Sequence, residues 1–408
     1  MRSLPGYAIL TAALALLAPP ATANDWPQWR GPNRDGRSGE TGLLQSWPPS
    51  GPPLRWKSTN LGSGYSTVTV SNNRIFTLGA DRDNEYVIAL DVAAGKELWR
   101  ARSGRRYRDG RGDGPRGAPT VDGTRVYSLG GNGDLTVLDV ESGKRIWSIN
   151  LLEKFNGRNI SWGISESPLV LEDRVLVNAG GRGAAIVALD KDDGSVLWRS
   201  QDDEASYSSA VVATIGGVRQ AIYFTGERAL GVNVDDGSVL WHYRRVSNRT
   251  ANVATPIVRG NQVFLSSDYG TGCALLEIQG GPDEMFAREI YFNRSMKNHH
   301  ASSVLVGDTL YGFNGSILTA LDFRSGEVLW KDRSVGKGSL IYADGHLYVF
   351  SENHVVGLVE ATRGGYREKG RFELPRSDEH SWSHPVIANG TLYLRDQGTL
   401  YSFDIRQR

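Results

Sequence analysis

Tyr65, Arg116, Ser165, Tyr207, Val253, His300, Lys337 and Trp382 share one property: each lies three residues ahead of a short hydrophobic phrase, and eight such phrases run along the chain. Glu166, Asn252, His299, Ser381 and His384 stand beside them. Every member of the first group except Val253 can hydrogen-bond or carry charge. Arg116 and Lys337 suit a carboxylate or phosphate, the arginine through its planar fork and the lysine as a point charge. Tyr207 and Trp382 offer flat faces to a sugar ring or a planar molecule. A fold element that gathers these positions makes a polar ring able to hold a small ligand or a glycan. The candidate ligand-binding residues are therefore Arg116, Glu166, Tyr207, Asn252, His299, His300, Lys337, Trp382 and His384.

Other chemistries find less support. Four of the seven histidines, His299, His300, His380 and His384, cluster near these positions. Adjacent residues of a strand point to opposite faces, so His299 and His300 do not share one metal, and no metal site is expected. No pair of carboxylates has a spacing that identifies hydrolytic acid and base. There is no serine nucleophile elbow and no phosphate loop. No catalytic residue is assigned. Arg100 to Arg116 holds seven arginines among glycines and Asp109 and Asp113. It reads as a solvated, mobile loop over one face, with a docking surface for an anionic partner or polysaccharide as the sharper alternative.

The elements that must position the ring are legible as repeats. The hydrophobic phrases begin at Val68, Pro119, Pro168, Ala210, Pro256, Ser303, Leu340 and Pro385. Each alternates apolar and polar residues around Gly, Asn or Asp, the pattern of a β-hairpin. A second phrase interleaves with them, complete at Ala89-Leu-Asp-Val-Ala-Ala-Gly-Lys-Glu-Leu-Trp99. It returns ahead of Trp147, Trp198, Trp241 and Trp330, at spacings of 48, 51, 43 and 89 residues. The last spacing hides a worn unit around Met285 to Phe292, and another worn unit centres on Gly370-Arg371-Phe372. Trp56 lies 43 residues ahead of Trp99. Four strands per unit of this length predict an all-β, eight-bladed β-propeller. Leu400 to Asp404 lacks a following Trp strand, and Leu54 to Trp56 lacks a preceding one. Pairing the two would complete a blade and remove an open edge. Trp56, Trp99, Trp147, Trp198, Trp241 and Trp330 then read as packing between blades, and the repeated glycines as turn residues, rather than as a cofactor box.

Composition fits this reading. Glycine supplies 49 of 408 residues, which calls for many tight turns, and the net charge of +1 gives no field for nucleic acid. Cys273 is the sole cysteine, so stability rests on core burial rather than disulfides. Residues 1–23 read as a secretory signal peptide: Arg2, an apolar run from Tyr7 to Ala18, then Ala21-Thr22-Ala23. No other stretch reads as a membrane span. The expected layout is an N-terminal extended segment over 24–53 and a single propeller over 54–408, in an exported, monomeric protein of the periplasm or extracellular space.

The complete phrase Ala89–Trp99 resembles the tryptophan-docking repeat of quinoprotein alcohol dehydrogenases, a repeat also found in BamB, the outer-membrane assembly factor. The resemblance covers nearly the whole mature chain. It is similar too to exported PQQ-binding-like β-propeller proteins that begin with a Trp-Pro-x-Trp-Arg-Gly-Pro segment, here Trp26 to Pro32. The resemblance implies either a binding scaffold among cell-envelope proteins or a small PQQ-dependent oxidoreductase acting on an alcohol or sugar. Glu166 and Asn252 match, in residue type, the oxygen ligands that hold Ca²⁺ beside such a quinone. The chain departs from the dehydrogenases in lacking a vicinal disulfide and a Cys-x-x-Cys-His haem site. It departs from BamB in lacking a lipidation cysteine.

Overall fold

Each docking phrase folds as two antiparallel strands around a turn that its own side chains fix. In the first, the strand Asn84–Asp91 leads into Glu97–Arg105 with Ala89 opposite Trp99. The Asp91 carboxylate accepts the Ala94 N–H at 2.8 Å, and the Gly95 N–H donates to the Asp91 carbonyl at 2.8 Å. Gly95 adopts φ +66°, a conformation that glycine tolerates and other residues resist.

The computed structural model describes residues 25–407, so the leader read over 1–23 lies outside the described residues. Eight four-stranded antiparallel sheets succeed one another as the blades of a ring. The first comprises Thr69–Ser71, Arg74–Ala80, Asn84–Asp91 and Glu97–Arg105. The innermost strand is short and buried, and the outermost carries the docking Trp and faces solvent on its other side. Both worn repeats are complete blades: their outer strands are Glu284–Asn293 and Glu368–Glu373. In the eighth blade Leu54–Ser58 pairs antiparallel with Thr399–Asp404, Trp56 opposite Ser402, so its strands come from both ends of the chain. A helical turn, Leu151–Phe155, caps the connector between the second and third blades, its Glu153 N–H donating to the Asn150 side chain.

Blades are joined through the tryptophans. Trp56, Trp99, Trp147 and Trp198 donate Nε1–H to the carbonyls of Val92, Val140, Lys191 and Val234 in the following blade, and their rings cover Gly95, Gly143, Gly194 and Gly237. Trp330 does the same with the Thr362 carbonyl at 2.8 Å. Trp241 departs from the pattern. The fifth blade replaces the short glycine turn with the long hairpin Gly272–Gly281 and Glu284–Asn293, so the Trp241 indole bonds Gln220 Oε1 within its own blade at 2.6 Å. In the fifth blade Tyr291 takes the docking role, covering Gly326 and donating to the Phe323 carbonyl at 3.1 Å.

The arginine-rich segment is not a free loop. Its first part belongs to the strand Glu97–Arg105, and Arg106 pairs with Asp113 at 2.7 Å. The buried Glu85 carboxylate requires donors and finds them in the N–H groups of Tyr107 and Gly131, both at 3.1 Å. That demand folds the segment down onto the blade.

Candidate functional site

The channel is filled by the chain itself. The segment from Trp26 to Glu40 has no regular structure, so its backbone groups need partners from elsewhere. Its backbone finds them on three blades, and its side chains bond to four more. Trp26 and Val70 exchange backbone hydrogen bonds at 2.8 and 2.9 Å, and the Val121 N–H donates to the Pro27 carbonyl at 2.8 Å. Trp29 Nε1 donates to Thr255 Oγ1 at 2.9 Å. Farther along, the Tyr342 N–H donates to the Gly36 carbonyl and the Gly390 N–H to Glu40 Oε2. Two arginines fasten the plug. Arg30, 2% exposed, donates to the Ser303 carbonyl at 2.6 Å and to Asp35 at 2.9 Å. Arg34, 3% exposed, donates to Ser167 at 2.8 Å and Pro168 at 3.1 Å. Both guanidiniums are served by carbonyls lying just ahead of innermost strands. Burial lowers each to about 10, which leaves both charged at neutral pH.

The opposite mouth, where connectors pass between blades, carries most of the fixed-offset residues. Tyr65 lies 4.9 Å from Trp382 between ring centroids, and Trp382 lies 6.2 Å from His300. His300 contacts His299 at 5.9 Å, and His299 contacts Tyr269 at 5.5 Å. Trp162 bridges Tyr269 at 6.4 Å and Tyr207 at 5.6 Å. Tyr107 donates to the Ser161 carbonyl at 3.0 Å, and Arg116 lies over the rings of both Tyr107 and Tyr65, which closes the circuit. His380 stacks on Trp382 at 5.5 Å. Beneath the rim, His384 sits 4.6 Å from Trp29 of the plug and its Nε2 meets the His300 carbonyl at 3.3 Å. Burial, and secondarily Arg30, holds His384 down to about 3, so it is neutral. His300 is likewise pushed well below the ordinary imidazole value, by burial first and His384 second.

Two charged residues of the mouth, Arg116 and Lys337, are engaged internally, while the exposed Arg111 and the half-buried Asp268 both act on Tyr269. Arg116 donates to the carbonyls of Gly112 and Gly114 and stacks on two tyrosines. Lys337 pairs with Glu352 at 3.1 Å, and the same carboxylate accepts Trp382 Nε1 at 3.0 Å. Ser381 donates to Asp396 at 2.6 Å, and Ser165 to the Tyr207 carbonyl at 3.4 Å.

Glu166 and Asn252 do not belong to this ring. Glu166 is 0% exposed: its Oε2 accepts the Asn178 N–H at 2.7 Å, and it faces Arg34 of the plug. Burial pushes it up to about 8. Asn252 donates to the Thr225 and Gly226 carbonyls and accepts from Asn248 N–H at 3.0 Å and Ser267 at 3.2 Å. Its amide is saturated as a loop clasp. Asn252 is therefore not free to stand as a Ca²⁺ ligand beside Glu166, whose Oε1 alone is unpartnered, and no group of three or more metal-ligating side chains exists among the described residues. Trp29, Arg30 and Arg34 are bonded into the channel and no Ca²⁺ ligand set is present among the described residues, so the residues present do not fit PQQ with Ca²⁺ and no redox step is derived.

The fixed offset missed Trp162, Tyr269 and Tyr107, because they sit on connectors and second turns whose lengths vary from blade to blade. It also missed the plug, whose only signal was two Trp and two Arg packed into Trp26–Arg34 outside the repeat period.

Residues 83–332 match the family described as outer membrane protein assembly factor BamB. The BamB of Yersinia pestis is 26% identical over 297 residues, spanning 68% of this chain and 71% of that protein. The crystal structure of BamB from Moraxella catarrhalis superposes with a TM-score of 0.60 at 13% identity, covering 89% of this chain and 100% of that one. The quinohemoprotein alcohol dehydrogenase of Comamonas testosteroni superposes at 0.66 and 12% identity, covering 94% and 81%. Identities this low between structures establish a shared fold alone.

Proposed function

The chain belongs to the family of the outer membrane protein assembly factor BamB, and from that premise we propose that it is an exported, envelope-associated propeller that works as a scaffold for protein partners of outer-membrane assembly. The observation that carries this reading is the filled channel. A propeller whose centre is occupied by its own Trp29, Arg30 and Arg34 offers partners its surfaces, not a reaction chamber. Its outer strands present Leu54, Leu98, Ile146 and Leu197 to solvent beside unpaired strand edges. Among the described residues no helix is long and apolar enough to cross a membrane. The test is affinity capture of the full-length protein from detergent-solubilised envelopes of its own host, with partners identified by mass spectrometry.

The connector-face mouth is proposed as a second contact surface, for a small polar ligand or glycan, on the strength of its aromatic circuit. The dehydrogenase alternative has the shared fold behind it and is disfavoured by the residues at the channel centre. Purified protein with PQQ and Ca²⁺ would then show neither quinone binding nor dye reduction with alcohols or sugars.

A further inference from the structure

Over residues 100–116 seven arginines stand against two aspartates, while the whole chain nets +1. Arg116 belongs to the mouth, and Arg100 pairs with Glu97 at 2.8 Å. The others gather at the hairpin tip 81–84 of the first blade. Arg106 donates to the Asp81 carbonyl at 2.7 Å, Arg108 to the Arg82 carbonyl at 2.6 Å, and Arg102 to the Asn84 side chain at 2.6 Å. A carbonyl or an amide satisfies an N–H but cancels no charge.

The acids nearby are engaged elsewhere. Asp81 caps its own turn, accepting the N–H groups of Asp83 and Asn84 at 2.8 Å each. Asp113 pairs with Arg106, Asp109 accepts the Arg111 N–H at 2.7 Å, and Asp134 holds the Asn150 amide at 3.0 Å. Asp83 and Asp113 come no nearer to Arg108 than 3.9 Å. Among the described residues no carboxylate lies within 4.0 Å of Arg82, Arg102, Arg105 or Arg111, all four exposed. Across the ring, by contrast, Arg288 and Arg371 pair with glutamates at 2.6 and 2.7 Å. Protection of an open strand edge accounts for Arg102 and Arg105, on the outer strand Glu97–Arg105, but not for Arg82 and Arg108, which lie outside the strands.

Guanidinium forks fit phosphate and carboxylate alike, so the surroundings decide between partners. A polypeptide partner needs an apolar centre to its interface, and the exposed Leu98 of this blade lies at the other end of its strand. A layer of phospholipid headgroups responds to charge alone. Tyr269, 41% exposed and beside Arg111, and the half-buried Trp162 add the amphipathic aromatics that settle at such an interface. Other acids of this face, among them Asp268 at Tyr269 and Asp378 and Glu379 ahead of the last blade, confine the positive surface to the first blade.

We infer that the hairpin tip 81–84 and the arginines folded onto it dock the protein on a phospholipid surface rich in anionic headgroups. Phosphate oxygens take the free N–H groups of Arg82, Arg105, Arg108 and Arg111. The contact involves no protein partner, so it stands apart from the scaffold reading.

Flotation of the purified full-length protein with vesicles in low salt tests it. Vesicles of phosphatidylglycerol and phosphatidylethanolamine in equal parts are expected to carry the protein, and vesicles of phosphatidylcholine alone to leave it behind. Arg82→Gln combined with Arg105→Gln should lower the partition about tenfold. Both side chains are exposed, so this double variant keeps its fold, which circular dichroism checks. Arg288→Gln combined with Arg371→Gln, the same charge change across the ring, should leave the partition unchanged. No flotation, equal carriage by phosphatidylcholine, or equal loss in the two double variants would overturn the inference. Displacement by inorganic phosphate at matched concentration would indicate a free-phosphate site, and tighter capture by a polyglutamate peptide than by the vesicles an acidic polypeptide. Either result overturns the membrane assignment.

Discussion

Gly143 lies under the indole of Trp99 from the preceding blade, so close that a Cβ there would stand 2.7 Å from the ring carbons Cδ2 and Cε3. The same turn holds the Val140 carbonyl 3.0 Å from Trp99 Nε1. Gly143→Ala meets two obstacles: φ of +68°, and a ring held by its own hydrogen bond. We expect it to destabilise the fold by about 3 kcal/mol, from left-handed strain and overpacking together. Gly123, at φ +56° with open space where a Cβ would stand, meets only the first obstacle. Gly123→Ala should cost about 1 kcal/mol. Denaturant unfolding of the pair measures the difference.

Arg30 holds the plug against the sixth blade. Arg30→Met keeps bulk but leaves the Ser303 and Asp35 carbonyls without their donor. A loss of about 2–4 kcal/mol is expected, by the desolvation penalty of buried groups left unpaired. Protease sensitivity between Trp26 and Glu40 should rise in step, because the segment has no secondary structure of its own to protect it.

Glu166 sets a pH dependence of stability. Its carboxyl is raised to about 8 in the fold against an ordinary value of 4.5. The folded state therefore binds the proton more tightly, and this group makes stability fall as pH rises from about 4.5 to 8. Tyr223 and Arg34 are the other ionisable groups facing it. Glu166→Gln removes the titration, so its melting temperature should drop less than the wild type's between pH 6 and pH 8. His384 acts with the opposite sign. Held down to about 3, it opposes protonation that the unfolded chain accepts, so its contribution is lost as pH falls below 6.5.

Cys273 is buried, and burial pushes its thiol up to about 12. The native protein should not react with a thiol reagent such as 5,5′-dithiobis(2-nitrobenzoate) at pH 8, and should release one equivalent on unfolding. Prompt reaction of the native form would contradict the packing among Phe264, Leu275 and Met296.

The blades were legible because their chemistry is local and repeated. Asp91 and Gly95 fix a turn inside the eleven-residue phrase that ends at Trp99, whose ring docks on the same turn of the next blade, and the eight hairpin phrases follow the same alternation. The mouth was legible in part, since Tyr65, Tyr207, His300 and Trp382 occupy equivalent places in different blades. Glu166 and Asn252 were misplaced because each is claimed by buried backbone groups, Glu166 by the Asn178 N–H and Asn252 by the Thr225 and Gly226 carbonyls, whereas His299, equally beside a ring position, stays at the rim. The plug was illegible because nothing local directs Trp29 and Arg30 to the centre. Their partners, Thr255 and Ser303, lie more than two hundred residues away and are contacted through a hydroxyl and a backbone carbonyl, which have no sequence signature.

The central claim, a scaffold with a closed channel that holds envelope partners on its surfaces, is tested most directly by capture of the full-length protein from solubilised envelopes followed by mass spectrometry. Co-purification of outer-membrane assembly components at stoichiometric levels, unaffected by added PQQ and Ca²⁺, is the expected result. A monodisperse protein that retains no such component under gentle solubilisation, together with PQQ-dependent dye reduction, would contradict it.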